Sequence, residues 1–227
     1  MWVIAHRGGG ELFPENTMRA FQESESLGVD MVECDVHVSR DGEIMVIHDP
    51  TLSRTGGTPL FVKDLTADEL ASIDVGEGQG VPTLASLLDA VKIPLVVEIK
   101  AVEVVQALVR LLQGRPELSK RIVPISFYHA AVKLLADRFP DLEAGVLLAG
   151  VPIRLHAIAR DAHVRHLSLA YEMVDKGLVD AMHRENLLVS VWTPNTPKDI
   201  AAMVAAGVDG IASDRPDLVL QAVADHA

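Results

Sequence analysis

The chain has 227 residues, of which 49% are hydrophobic, 32 are acidic and 20 are basic, so its formal net charge is −12. This length is enough for one substantial core, and the acidic excess argues against nucleic acid as a partner. No apolar run reaches ~18 residues, so we expect no membrane insertion, and the single cysteine, Cys34, excludes an internal disulfide. We therefore expect a cytoplasmic protein with one domain over residues 1–227, and the composition is compatible with a homo-oligomer.

Short apolar runs alternate with segments of helical periodicity along the whole chain. The predicted barrel strands are Trp2–Ala5, Met31–His37, Leu95–Ile99, Ile122–Ser126, Glu143–Leu148, Arg165–Leu169, Leu187–Trp192 and Asp209–Ala212. The predicted helices are Thr17–Leu27, Val102–Leu112, Ala130–Arg138, Pro152–Arg160, Val174–Glu185, Pro197–Ala206 and Pro216–Ala224. This alternation favours right-handed βαβ units and a closed α/β TIM (β/α)8 barrel over an open doubly wound sheet.

The first predicted strand runs directly into His6, Arg7 and the three glycines 8–10. Catalytic groups of such barrels lie at the C-terminal ends of the strands, so His6 and Arg7 are candidate site residues. Glycines let the backbone approach a ligand closely, and an arginine side chain can bind a phosphate with two parallel hydrogen bonds. Either Asn16 or Thr17 is expected to cap the following helix.

The second predicted strand, MVECDVHV, carries Glu33, Asp35 and His37 at alternate positions. A parallel strand is buried on both faces, so it should be continuously apolar. Two carboxylates about 7 Å apart on one buried face repel each other unless a cation lies between them. The alternative is a structural network of ion pairs.

The stretch Ser39–Glu43 predicts a β-hairpin. Residues 44–47 should therefore return antiparallel to the second strand. With Asp41 and Gly42 as a two-residue turn, His48 pairs with Asp35 and shares its face. His48 then joins His6 as a candidate acid–base group. A strand-end turn is the other interpretation of His48.

Residues 49–92 form an inserted segment between the second and third barrel strands. The segment is rich in glycine and threonine at 55–58 and weakly helical at 66–72 and 83–91. We expect it to form a small cap beside the barrel mouth.

The strand LVVEIK repeats the pattern of buried charge with Glu98 and Lys100. An ion pair closing the barrel end is one interpretation. Together with Glu33 and Asp35, however, Glu98 gives three inward carboxylates without a cysteine or histidine ligand pattern. Such a set favours a hard divalent cation, Mg²⁺ or Ca²⁺, over zinc, and Lys100 could neutralise an anion held against that ion.

Trp192 ends a predicted barrel strand. It is either part of the core or a wall for the alcohol portion of a substrate. His37 has the parity of Asp35 but lies farther along the hairpin. The remaining histidines are expected to be surface or structural residues: His129, His156, His163, His166, His183 and His226.

The chain closely resembles the glycerophosphodiester phosphodiesterases in its motifs AHRG, PENT, ECDV, IHDPTLSRTG, PTLASLLDAV, VEIK, VWTPN and GVDGIASDRPD. They occur in the order typical of that family and span nearly the whole chain. The resemblance implies a TIM barrel with a small insertion that hydrolyses glycerophosphodiesters to sn-glycerol 3-phosphate and an alcohol.

The resemblance also implies roles for the residues singled out above. His6 and His48 would be the acid–base pair. One divalent cation, Mg²⁺ or Ca²⁺, would be bound by Glu33, Asp35 and Glu98. Arg7 and Lys100 would contact the phosphate.

Two departures from the family pattern concern substrate preference. Arg54-Thr55-Gly56 stands where the family has Arg-Thr-Thr, and Trp192-Thr193-Pro194-Asn195 replaces Trp-Thr-Val-Asn.

Two other functions are compatible with the same barrel. A lysophospholipase D-like enzyme would need an apolar entrance for an acyl chain, and residues 49–92 show no exposed apolar stripe. A non-catalytic barrel that binds phosphate esters would be indicated by degraded histidines, but His6 and His48 are both present.

Overall fold

Within residues 1–226, which the computed structural model describes, eight parallel strands close into a barrel. The strands are β1 (Trp2–Ala5), β2 (Met31–Val38), β3 (Ile44–Val46), β4 (Leu95–Ile99), β5 (Ile122–Ser126), β6 (Gly145–Leu148), β7 (His166–Ala170), β8 (Leu188–Trp192) and β9 (Gly210–Ser213). All except β3 belong to the barrel, and β1 pairs in parallel with both β2 and β9. The predicted TIM barrel is thereby confirmed, and the open doubly wound sheet is excluded.

Helices surround the barrel and follow its strands in sequence. They are α1 (Met18–Leu27), α2 (Ala67–Ala71), α3 (Leu84–Ala90), α4 (Val104–Gly114), α5 (His129–Arg138), α6 (Leu155–Asp161), α7 (Lys176–Arg184), α8 (Pro197–Ala206) and α9 (Pro216–His226). Thr17 caps α1, because its Oγ1 accepts a hydrogen bond from the Ala20 amide. Asn16 is therefore free to serve another purpose.

The barrel has two apolar regions. The larger lies between the sheet and the helices and contains the outward side chains of the strands, such as Val32, Cys34 and Val36 of β2. The smaller fills the barrel interior with Ile4, Val96, Ile125, Leu147 and Ala212. The charged side chains of β2 and β4 therefore lie above an apolar floor, which excludes water from beneath them.

The predicted register of the β2–β3 hairpin is wrong by one residue. Val38 pairs with Ile44 and Val36 with Val46, so the loop has three central residues, not two. Gly42, at φ +89°, takes the left-handed conformation that such a loop requires. His48 therefore does not pair with Asp35; the Ile47 amide bonds the Asp35 carbonyl instead, and β3 has already ended at Val46.

The inserted segment has a small core of its own. Met45, Ile47, Leu52, Val62, Leu70 and Val81 form this cluster. In contrast, Leu84, Leu87 and Leu88 of α3 pack in the main core outside the barrel. The part of the segment with a separate core therefore ends near Val81, and α3 belongs to the helical layer of the barrel.

Across residues 1–226, no helix combines the length and the apolar character needed to span a bilayer.

Candidate active site

Three carboxylates meet at the C-terminal end of the barrel. Glu33 and Asp35 project from the same face of β2, and Glu98 of β4 lies directly opposite Asp35 in the strand register. One oxygen from each carboxylate lies within 4.8 Å of the others. Glu33 and Asp35 are buried, whereas Glu98 is half-buried. The alternation seen in the sequence thus brings these side chains together.

The surroundings shift the pKa values of the three carboxylates in different directions. Burial and the nearby Asp35 carboxylate raise the pKa of Glu33 to about 8. Burial and the same neighbour also raise the pKa of Glu98. Burial alone would raise the pKa of Asp35, but Lys100 and Arg7 hold it below its usual range. Asp35 therefore ionises at a lower pH than Glu33.

Asp35 is positioned by groups from the loops after β1 and β4. Asn16 Nδ2 donates to Asp35 Oδ2 at 2.9 Å, Arg7 Nε lies 3.3 Å from the same oxygen, and Lys100 Nζ lies 3.3 Å from Oδ1. Asp35 Oδ1 is nevertheless buried without a hydrogen bond. Such a buried acceptor beside two more carboxylates fits a hard divalent cation, because oxygen ligands suit Mg²⁺ and Ca²⁺. The donor set therefore fits one such ion.

The loop after β1 depends on unusual backbone conformations. Arg7 and Gly8 have φ values of +51° and +77°. A Cβ atom at Gly8 would lie 2.8 Å from the Cβ of Ala20, so no larger residue fits there without a shift of α1. This tight turn aims the Arg7 amide at Glu33 Oε2, to which it donates at 2.9 Å. The glycines thus bring the backbone to a carboxylate of the site.

His6 is held against the site by a carboxylate from the far end of the chain. Its Nδ1 lies 2.7 Å from Asp214 Oδ1, and its Nε2 lies 3.9 Å from Glu33 Oε2. Asn195 Nδ2 donates to Asp214 Oδ2 at 2.7 Å and fixes that carboxylate. Burial lowers the pKa of His6, but the Asp214 hydrogen bond and the charge of Glu33 outweigh it, and the pKa lies above its usual value.

His48 has a similar carboxylate partner. Its Nδ1 lies 2.6 Å from Asp49 Oδ1. Arg54 Nε donates to Asp49 Oδ2 at 2.7 Å, and the rest of its guanidinium binds both oxygens of Glu15. Glu15 also accepts from Arg7 Nη1 at 3.1 Å. This network ties the inserted segment to the loop after β1.

A cavity of about 160 Å³ lies at the mouth of the barrel beside these groups. His6, His48, Arg7 and Lys100 line it together with Glu33 and Glu98. Trp192 and Phe127 form an opposite wall, with ring centroids 5.7 Å apart in an edge-to-face arrangement. All the predicted site residues thus converge on one place: Asp35 lies between Lys100 and Arg7, and the others line the cavity.

Two of the remaining histidines lie near the site. His37 Nε2 is 3.0 Å from the His48 carbonyl, so His37 supports the backbone of His48. His166 lies in β7, inside the barrel, with Nε2 2.8 Å from Ser190 Oγ. Burial lowers the pKa of His166 to about 4, so the ring is neutral. His37 is thus structural, whereas His166 also lines the cavity.

Sequence reasoning assigned no role within the site to several residues that position it. Asp214, Asp49 and Asn16 each hold a candidate residue by a hydrogen bond. The signal available for them was their place in the motifs SDRPD, IHDP and PENT, since loop residues show no periodicity.

Known proteins resemble this chain in sequence and in fold. The model of the family described as "Glycerophosphoryl diester phosphodiesterase family" matches residues 6–218. A glycerophosphodiester phosphodiesterase from Caldanaerobacter subterraneus is 32% identical over 97% of each chain. One from Bacillus altitudinis is 32% identical over 95% of each chain. The structure of an Oleispira antarctica phosphodiesterase, in complex with the product sn-glycerol-3-phosphate, superposes with a TM-score of 0.89. It is 23% identical and covers 97% of this chain and 96% of its own.

The family match runs from His6 to Leu218 and includes every carboxylate and histidine of the cavity. The chain belongs to the glycerophosphoryl diester phosphodiesterase family.

Proposed function

We propose that the protein is a divalent-metal-dependent phosphodiesterase that hydrolyses glycerophosphodiesters to sn-glycerol 3-phosphate and an alcohol. The observation that carries this proposal is the set of three carboxylates within 4.8 Å, flanked by two histidines that each have a carboxylate partner. Membership of the family supports the reaction class, and the product bound by the Oleispira antarctica protein supports the glycerol phosphate half of the substrate.

In this proposal Glu33, Asp35 and Glu98 hold one cation, Mg²⁺ or Ca²⁺. When bound, such an ion polarises a phosphoryl oxygen and neutralises developing negative charge. Lys100, which donates to Glu98 Oε1 at 2.8 Å and lines the cavity, supplies a second positive charge for the phosphate. Arg7 supplies a third, although its guanidinium is already paired with Glu15 and Asp35.

His6 and His48 are the proposed proton-transfer groups. Each ring uses Nδ1 to donate to an aspartate, which leaves Nε2 for the substrate. One histidine would take a proton from the attacking hydroxyl group while the other gives a proton to the departing alkoxide. Trp192 and Phe127 would exclude water from one side of the bound phosphate.

Hydrolysis of glycerophosphocholine tests the proposal. With Mg²⁺ or Ca²⁺ present we expect stoichiometric sn-glycerol 3-phosphate and choline, and in excess EDTA we expect turnover to stop. Undiminished turnover in EDTA would remove the metal from the mechanism. Tight binding of glycerophosphocholine without any turnover would favour the non-catalytic barrel, and turnover of lysophosphatidylcholine alone would favour the lysophospholipase D-like enzyme.

A further inference from the structure

A second depression adjoins the cavity at the barrel mouth. It is a groove of about 600 Å³ between the inserted segment and the loops that follow β4 and β5. His48 and Lys100 line both the groove and the cavity. A phosphate held at these two side chains would therefore have one ester arm on each side.

The groove has apolar walls. Phe61 of the inserted segment is 46% exposed, and Tyr128 after β5 is 51% exposed. Pro50, Val62 and Ala101 line the space with them. The sequence indicated no exposed apolar stripe in residues 49–92, and in the structure Leu60 is 46% exposed beside Phe61 in the chain. Aromatic side chains with half of their surface in water are well suited to bury a ligand.

The polar groups of the groove are mostly engaged within the protein. His37 contacts the His48 carbonyl, and Asp49 binds His48 and Arg54. Lys100 donates to Glu98. What the groove offers to a ligand is therefore chiefly apolar surface, with Lys63 and Glu103 as further polar lining.

The two spaces differ in size and in chemistry. The cavity is small, and Ser168, Ser190 and His166 add polar groups to its lining, which suits a three-carbon polyol. The groove is larger and more apolar. We propose that the groove binds the departing alcohol of the diester, and that this enzyme prefers glycerophosphodiesters whose alcohol carries an uncharged apolar chain. Trp192 then faces the glycerol half of the substrate.

The position of Lys63 favours binding of an apolar alcohol over a cationic one. Its Nζ lies 5.6 Å from the centroid of the Phe61 ring. This ring already has a cation near it, so a quaternary ammonium group beside it would meet a like charge. A neutral chain meets no such repulsion.

The reaction on such a substrate is the hydrolysis proposed above, on which this inference rests. The P–O bond to the alcohol breaks, the oxygen of water ends on phosphorus, and the alcohol leaves with one proton. The products are sn-glycerol 3-phosphate and the apolar alcohol, with no change of oxidation state.

The test is a series of glycerol-3-phospho-n-alkanols from ethanol to hexanol, assayed below their aggregation concentrations with Mg²⁺. We expect kcat/KM to rise about two- to fourfold per methylene, in line with burial of each group. Phe61→Ala and Tyr128→Ala should flatten this slope. Met173→Ala is the matched control, because Met173 is 53% exposed on the loop after β7 and does not line the groove.

A second comparison tests the charge argument. Glycerophospho-3,3-dimethylbutanol is the neutral isostere of glycerophosphocholine, and we expect a several-fold higher kcat/KM for the neutral ester. A preference for choline would overturn the inference, as would a flat chain-length series. The inference would also be overturned if kcat/KM rose when the glycerol carries an acyl chain, as in lysophosphatidylcholine, but did not rise with the length of the alcohol. If no diester is hydrolysed, the proposed function itself fails; hydrolysis with a flat series overturns the groove alone.

Discussion

At the scale of single residues, the contact between His6 and Asp214 determines the protonation of the site. Asp214 accepts from His6 Nδ1 and is itself fixed by Asn195, so the imidazole has one orientation and one tautomer. Of the influences on the His6 pKa, burial lowers it and the Asp214 hydrogen bond raises it. Without the negative charge of Asp214, less remains to compensate for the lowering effect of burial, so the pKa of His6 must fall.

We therefore predict two effects of Asp214→Asn on the hydrolysis of glycerophosphocholine. The value of kcat/KM should drop by about 10²–10⁴-fold, since the amide no longer enforces the tautomer. The limb of the pH profile that belongs to His6 should move to lower pH. The pH dependence of kcat/KM measures both.

Asp209→Asn is the matched control for Asp214→Asn. Asp209 lies 2.8 Å from His183, but it precedes β9 and so lies at the opposite end of the barrel. We expect the pH profile of kcat/KM for Asp209→Asn to match that of the unmodified protein. If Asp214→Asn also leaves the profile in place, Asp214 does not position His6 for catalysis.

The three carboxylates could be identified from sequence because a buried strand reveals its inward residues by parity. Glu33 and Asp35 interrupt one apolar strand and Glu98 another, strand alternation places the first two on one face, and their charge indicates that this face is the barrel interior. Asp214 and Asn16 escaped this reasoning. Both lie in loops, where no periodicity indicates the direction of a side chain. Asp214 is also 208 residues from His6 in the chain, and only the closed barrel brings the two together.

At the scale of elements, alternation of strands and helices predicted the barrel, but the hairpin register could not be read from it. Asp41-Gly42 is compatible with a two-residue turn and with the end of a three-residue loop, and the two differ by one residue in register. The structure has the longer loop. His48 still reaches the cavity because the chain leaves β3 after Val46, so alternation no longer fixes its direction.

The loop between β1 and α1 yields a prediction at this scale. Gly8→Ala combines a left-handed backbone with overlap against Ala20, where the added Cβ would come within 2.8 Å. We expect a loss of about 2–5 kcal/mol in the free energy of unfolding, from backbone strain of about 1–2 kcal/mol and overpacking of about 1–3 kcal/mol. Activity should fall as well, because Arg7 and His6 move with the loop. Chemical denaturation and glycerophosphocholine assays measure the two effects.

Gly28→Ala separates strain from overlap. Gly28 has φ +86°, close to that of Gly8, but no atom lies within 4 Å of the position of an added Cβ. This variant should lose only the strain contribution and retain activity. Equal losses in the two variants would mean that contact with α1 does not shape the loop.

At the scale of the whole molecule, the net charge of −12 coexists with a site in which positive and negative groups are interleaved. Arg7 and Lys100 lie beside Asp35, so the metal-free protein keeps the Asp35 carboxylate ionised. Glu33 lacks such a partner: its Oε2 accepts only the Arg7 amide, and His6 Nε2 is 3.9 Å away. The pKa of Glu33 is about 8 as a result of burial and of Asp35. Protonation of Glu33 is what allows three carboxyl groups to share the space.

The stability of the whole chain should therefore depend on pH and Mg²⁺ together. The pKa of Glu33 is raised in the folded state above its ordinary value of 4.5. Its contribution to stability is thus fully present below pH ~4.5 and is lost as pH rises through about 8. An ion at the carboxylates binds only the deprotonated group, so its affinity should rise over the same window. We predict that saturating Mg²⁺ raises Tm more at pH 8 than at pH 6, and that binding at pH 7 releases close to one proton.

Glu33→Gln tests this prediction in thermal melts and in calorimetry with buffers of different ionisation enthalpy. The glutamine cannot ionise, so the metal-free variant should lose less stability than the unmodified protein between pH 6 and pH 8, and Mg²⁺ should no longer raise its Tm. The raised pKa of His6 acts in the same direction and depends in part on Glu33, so the His6 contribution also diminishes in the variant. Glu23→Gln removes an exposed carboxylate from α1 and should behave like the unmodified protein. If the Mg²⁺-induced rise in Tm is the same at both pH values, Glu33 is already ionised in the metal-free site and the ion displaces no proton from it.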